Sequence, residues 1–295
     1  MSKFGVVLSS GGGRGVFAHT GFMSALEQLG IQITASAGCS AGAIVGGILA
    51  SGSDIEEWTS TLRNVRVEQF WTPRPYWQLL FVFGLRRGQG IAGFSDTSAA
   101  IHFLAENLSV DTFEECIYPF AAIALNLGTG KSVIFREGPL AHGMMASAAV
   151  PGFYEPVQIG DQYYTDGAII DLAPANAICC RYDLDVLLVH HTAQVNYLNE
   201  ELGRAFNQPW TMAKIMQRVI FRRRPWYATG GPLSIHACPC GCKAIIVVIE
   251  PNLPDLAWPI TSDAAGIIDV AHTHALSQLE PILGQLHSKP RSLLA

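Results

Sequence analysis

A serine set between glycines and an aspartate followed by glycine carry the clearest chemical potential in this sequence. Gly38-Cys39-Ser40-Ala41-Gly42 fits G-x-S-x-G. In that spacing small neighbours allow a sharp strand-to-helix turn to expose the central hydroxyl, with the amides and positive dipole of the next helix beside developing negative charge. Ser40 is therefore the candidate nucleophile, and Cys39, off the elbow position, is expected to face the core. A serine hydroxyl needs a base. His190 and His191 at a strand end, and His272 and His274 near the C-terminus, are available but sit in no motif. "YYTDGAIIDLAP" offers Asp166, then Gly167 and Ala168, with Asp171 beyond. Gly167 permits close passage of another backbone and Ala168 keeps the carboxylate accessible, although Asp-Gly also suits a hairpin turn. A third candidate is Gly11-Gly12-Gly13-Arg14 in "LSSGGGRGVFAHTGF". Amides of such a stretch can hold a phosphate or an oxyanion. A dinucleotide fingerprint from Gly11 would need glycine where Val16 stands, and no acidic ribose partner follows about 20 residues on.

These groups need strands and helices to position them. "FGVVLSS" reads as a buried strand, "GVFAHTGFMSALEQLG" as a helix stopped by Gly30, and "IQITASAG" as a second strand, so the chain opens β-α-β. A buried helix over "GCSAGAIVGGILASG" follows, then one capped by Ser53 or Asp54 and running to about Val65. From Gln69 to Phe94 aromatics, prolines and glycines suit a loop or lid over an apolar site. "PFAAIALNLGTGKSVIF" reads as two strands about a glycine turn, and "AHGMMASAAV" as a short helix ended by Pro151. "DVLLVH" and "KAIIVVIE" look like central parallel strands, and residues 263–281 like a terminal helix. The alternation predicts an α/β fold, a three-layer α/β/α sandwich with a largely parallel central sheet, formed by residues 1–295 as one domain.

Composition narrows the classes. Of 295 residues 49% are apolar and 15% charged, which favours one large core over disorder. The net charge of -5 gives no general attraction to nucleic acid, and none is expected as a partner. The N-terminus lacks the shape of a secretory signal, and no apolar run reaches the roughly 20 residues of a membrane span. Seven cysteines, with Cys179 and Cys180 adjacent, do not resemble a disulfide framework. A reducing cytoplasm is the expected location.

Together the stretches "SSGGGRG", "GCSAG", "ASAAVPGFYEPV" at residues 146–157 and "YTDGAIIDLAP" resemble the patatin-like phospholipases, lipid acyl hydrolases, in order and spacing over residues 5–177. The resemblance implies a Ser-Asp dyad: Ser40 as nucleophile and Asp166 as the residue that takes its proton, flanked by Gly38, Gly42, Gly167 and Ala168. No histidine is then required. A free aspartate is a weak base near neutrality, so burial is expected to raise the Asp166 pKa. The chemistry implied is acyl transfer to water through an acyl-enzyme, on phospholipid or another acyl ester. Gly11, Gly12, Gly13 and Arg14 then read as the oxyanion hole. The family usually has G-G-G-x-R-G, whereas here Arg14 follows the glycines at once. An acyltransferase or thioesterase could use the same dyad, and a non-catalytic nucleotide-binding or regulatory protein is the alternative of another class.

Three further segments carry signals. "WTMAKIMQRVIFRRRPWY" has apolar residues at helical spacing and a run from Arg222 to Arg224, so residues 210–227 are a candidate for peripheral contact with an anionic membrane, together with "YWQLLFVF". "HACPCGC" gathers His236, Cys238, Cys240 and Cys242. Without a C-x-x-C knuckle or a second cysteine pair nearby in sequence, it reads as a thiol-rich loop, and no metal or cofactor is assigned. "GTGKS" at 128–132 mimics the end of a P-loop, but the first glycine would fall at Leu125, so it reads as a turn.

Overall fold

The computed structural model describes residues 2–75, 77–78, 84–85, 89–192, 231–254 and 264–294. The candidate membrane segment 210–227 lies outside the described residues, as does most of 76–83. Among the described residues no helix is long and apolar enough to cross a membrane.

The opening is β-α-β, as expected: β1 (Phe4–Leu8), α1 (Gly12–Gln28) and β2 (Ile33–Gly38), followed by α2 (Ala41–Ala50) and α3 (Ile55–Asn64). Asp54 caps α3 by accepting from the Glu56 and Glu57 amides at 2.8 and 3.0 Å, which satisfies two of that helix's orphan donors. Next come β3 (Gly93–Ser95), α4 (Ser98–Glu106), β4 (Phe120–Asn126), β5 (Lys131–Phe135) and α5 (Leu140–Ala148). The chain continues through β6 (Gly152–Tyr154), β7 (Val157–Ile159), β8 (Gln162–Asp166), β9 (Val186–His190), β10 (Leu233–Ala237) and β11 (Ile245–Ile249), then α6 (Ala265–Leu279) and α7 (Leu283–Ser288).

The main sheet runs β10-β11-β9-β1-β2-β4-β8-β7, with β5 also on β4. Its centre, β11, β9, β1, β2 and β4, is parallel, while the β10-β11, β4-β5, β4-β8 and β7-β8 pairs are antiparallel. The sheet is thus mixed, parallel only where strands are buried on both faces. Strands β1, β9 and β11 are buried throughout, so their apolar runs do not alternate with polar residues. Phe4, Val6 and Leu8 join the core under the α-helices, whereas Val7 joins a second core covered by the 3-10 turn Ala175–Ala177 and its connections. Helices α1 and α6 cross closely at Gly21, where a Cβ would stand inside the Ile268 carbonyl. The glycine stretch and Ser40 follow the carboxyl ends of β1 and β2, where open α/β sheets leave a crevice, and Asp166 is the last residue of β8.

Candidate active site

Ser40 occupies the turn between β2 and α2 with φ 53° and ψ -117°, a region that residues with a Cβ rarely adopt. The glycines on either side are required by contact, not by flexibility. A Cβ on Gly42 would enter the Leu8 carbonyl at the end of β1, and one on Gly38 would enter the Gly42 carbonyl. The Gly42 amide donates to the Ser9 carbonyl at 3.1 Å, which fastens the elbow to the next strand. Gly42→Ala is therefore expected to destabilise the fold by more than about 3 kcal/mol, read as a fall in Tm of several degrees or loss of soluble protein; a variant as stable as the parent would contradict this packing. Cys39 is fully buried with Ile123, Ala168 and Leu172, and burial holds its thiol far above the usual range, so it does not compete as a nucleophile.

Asp166 reaches Ser40 because two strands share one edge of β4. Residues Phe120 to Ala122 of β4 pair with β2, and Ala124 to Asn126 pair antiparallel with β8. Strand β5 occupies the other edge. Gly38 lies opposite Ala122 and Asp166 opposite Ala124, so the elbow and the aspartate meet across one residue, Ile123. Gly167 then passes so near the Ile123 carbonyl that any Cβ would clash. Asp166 is fully buried. Its Oδ1 accepts from the Ala168 amide at 2.8 Å, while Oδ2 has no hydrogen-bond partner. Burial pushes its pKa up to about 7, opposed by the Ala168 amide and by the Ser40 hydroxyl. The Ser40 hydroxyl thus counts among the groups that favour the carboxylate, which sets it beside Asp166.

The glycine stretch is not a loop. Helix α1 starts at Gly12, with Gly11 as its N-cap and Gly12 in the left-handed region at φ 59°. The amides of Gly12 and Gly13 therefore belong to a first helical turn, where N–H groups lack intrahelical acceptors and the dipole is positive. A Cβ on Gly15 would press on the Ala41 Cβ, which sets this turn directly against the elbow. Arg14 reaches from it to the Thr192 carbonyl at 3.2 Å, past the end of β9. A Cβ on Gly11 would collide with the Thr192 hydroxyl. Arg14 therefore ties the turn to β9.

Ser147 is a residue that the motifs contain but sequence reasoning gave no role. Its hydroxyl, on α5, accepts the Ser40 amide at 3.0 Å. Two residues later the Ala149 carbonyl accepts the Asp166 amide at 3.0 Å and the Thr165 hydroxyl at 2.6 Å. The stretch 146–157 thus braces the elbow and the aspartate from one side, and Ser147 lies within it. Asp171 supports the same region, accepting the Ala173 amide at 3.2 Å.

His19, His190 and His191 are engaged elsewhere. His19 and His190 face each other, Nδ1 to Nδ1, at 2.8 Å, and His19 Nε2 lies 2.7 Å from the Ser9 carbonyl. A carbonyl can only accept, so His19 Nε2 carries the proton and its Nδ1 accepts from His190. Burial lowers His19 to about 3 and His190 well below the usual range. Both stay neutral and hold the end of β1 in place. His191 pairs with Glu250 at 3.0 Å, and His272 and His274 lie on α6.

The sequence model of the patatin-like phospholipase family matches residues 6–178. An uncharacterized NTE family protein of Mycobacterium bovis is 31% identical over 174 residues, covering 58% of this chain and 44% of that protein. Lysophospholipase NTE1 of Cryptococcus neoformans is 26% identical over 193 residues, 63% of this chain and 11% of its own length. The chain thus spans less than half the length of these relatives. Among solved structures, human GIVD cytosolic phospholipase A2 aligns over 97% of this chain and 62% of its own, with a TM-score of 0.55 at 10% identity, a likeness of fold.

Proposed function

Because the chain belongs to the patatin-like phospholipase family, we propose that it is a lipid acyl hydrolase in which Ser40 attacks an ester carbonyl and Asp166 takes its proton. The observation that carries this reading is the placement of a fully buried carboxylate, with one unpaired oxygen, beside a serine in a strained elbow. Ser40 Oγ bonds to the carbonyl carbon as its proton passes to Asp166. The tetrahedral oxyanion is met by the amides of Gly12 and Gly13 and by that of Ala41, the first helical residue after the nucleophile, with Gly11 setting the turn. Asp166 returns the proton to the departing alcohol or lysolipid, then activates the water that releases the fatty acid. Lipid is favoured over small esters by exposed apolar side chains. Phe94 and Phe153 stand on β3 and β6, which pair with each other, and Ile170 follows Asp166 by one short turn.

Only the ionised form of Asp166 can act as base. The kcat/KM of the free enzyme is therefore expected to rise with pH through an apparent pKa near 7 and to level above it. A profile flat from pH 5 to 8 would remove Asp166 from the base role. The reading itself is tested by incubating the chain with a fluorophosphonate and with phospholipids, lysophospholipids and simple esters. Covalent labelling mapped to Ser40 together with release of free fatty acid supports it. No label and no acyl cleavage on any of these substrates would overturn it.

A further inference from the structure

The cysteines that sequence spacing separates into two groups come together in space. Cys179 and Cys180 follow the short turn Ala175–Ala177 and precede β9, and Cys238 and Cys240 lie in the connection from β10 to β11. Strands β9 and β11 are parallel neighbours, so the approaches to their amino ends are adjacent. The four sulfurs lie within 4.8 Å of one another. Cys179 and Cys180 are 3.3 Å apart, Cys179 and Cys240 4.0 Å, and Cys238 and Cys240 2.8 Å, with Cys180 and Cys240 in bonding contact. The sequence expectation of a metal-free thiol loop rested on the lack of a C-x-x-C knuckle and of a second cysteine pair nearby in sequence; the fold supplies that pair from 60 residues upstream.

We propose that Cys179, Cys180, Cys238 and Cys240 bind one zinc ion as a tetrathiolate structural site. Sulfurs at about 2.3 Å from a tetrahedral zinc stand about 3.8 Å from each other; the Cys179–Cys240 spacing is near that value, and the closer pairs would open to it on binding. A disulfide between Cys180 and Cys240 would account for two sulfurs and leave the buried Cys179 and Cys238 crowding them. The Cα atoms of Cys180 and Cys240 are moreover 7.6 Å apart, wider than disulfides span without backbone movement. One ion accounts for all four. A polynuclear iron-sulfur cluster would hold its cysteines farther apart, and four soft thiolates about a single centre suit zinc. The backbone is shaped for the task. The Gly241 amide donates to the Cys238 carbonyl at 2.9 Å with Gly241 at φ 77°, closing a tight Cys-Pro-Cys-Gly turn that turns two sulfurs the same way. Cys242 stays outside the set, its thiol donating to the Cys179 carbonyl at 3.8 Å, and His236 bonds Ser234 instead. Two of the ligands are buried and two exposed, so the ion has a route in from solvent. On binding, four zinc-sulfur bonds form and four thiol protons leave to solvent, with no change of oxidation state. All four positions are filled by protein, and the site lies at the strand ends opposite to Ser40, so its role is to fasten the β10-β11 connection to the approach to β9.

The test is elemental analysis of the full chain purified under reducing conditions without chelator. One zinc per chain is expected, falling at least tenfold in Cys179→Ser and Cys238→Ser and staying at one in Cys116→Ser, a cysteine remote from the cluster. So that misfolding of a variant is not mistaken for loss of a ligand, the stripped wild-type chain is also titrated with cobalt(II). A tetrahedral thiolate spectrum saturating at one equivalent, reversed by zinc, is the expected result. A wild-type chain with zinc at background and no such cobalt spectrum would overturn the site, as would a mapped Cys180–Cys240 disulfide in zinc-free protein purified under the same reducing conditions. Iron at one equivalent instead would overturn the choice of metal.

Discussion

Ser40→Ala is expected to lower kcat for ester hydrolysis by at least about 10⁴-fold, to the level that binding and oxyanion donors alone sustain, and to abolish fluorophosphonate labelling. The loss should come with little change in stability. Alanine keeps the Cβ and hence the strain of the φ 53° turn, so its Tm should match the parent. Ser40→Gly removes hydroxyl and Cβ together, and should be as inactive but more stable by about 1 kcal/mol, the lower range for one strained residue. Steady-state rates and thermal melts of the three proteins side by side decide the matter. A Ser40→Ala protein with more than a tenth of parental activity would exclude Ser40 as the nucleophile.

Asp166→Asn should be nearly as damaging to the rate, by about 10³-fold or more, since a positioned general base contributes about 10²–10⁴ and the amide cannot take the proton. Its stability should move the other way. The folded Asp166 has a pKa of about 7 against an ordinary value of 3.8, so between those values the folded state holds a proton that the unfolded state has lost. Stability attributable to this group is therefore present below about pH 4 and lost as pH rises through 7, a cost of about 4 kcal/mol in the fully ionised state. Asparagine keeps the shape and carries no such charge. At pH 8 the variant should melt several degrees above the parent, and at pH 4 the two should converge. Equal Tm differences at both pH values would show that the buried carboxylate is not held at an elevated pKa.

The parts of the site that were legible in the sequence are those written locally. The small residues around Ser40 and Gly167 follow from contacts within a few residues or with the next strand, and they leave a spacing that can be read. The opening from β1 to α3, the strands β4, β5, β9 and β11, and the helices α5 and α6 were legible too, from apolar runs bounded by glycine and polar turns, whereas the short strands β3, β6, β7, β8 and β10 and the helix α4 were not read. What the sequence hid is non-local. Nothing near Asp166 says that β8 shares an edge with β2, or that Ser147 would bond the Ser40 amide from a separate helix. The start of α1 at Gly12 was masked by glycine's poor helix propensity, which tertiary contact with Ala41 and Thr192 overrides. The cysteine pairs are joined only through the parallel pairing of β9 with β11.

Strand β4 also sets a rule for how this chain can vary in length. Both reactive groups are indexed to it, Gly38 at Ala122 and Asp166 at Ala124. Side chains along a strand alternate faces, so a slip of one residue would send the carboxylate to the opposite side of the sheet from the serine. Hairpin loops and helix termini can gain or lose residues without that penalty. A deletion or insertion between Phe120 and Asn126 cannot, because it would separate the two groups while leaving each of them intact.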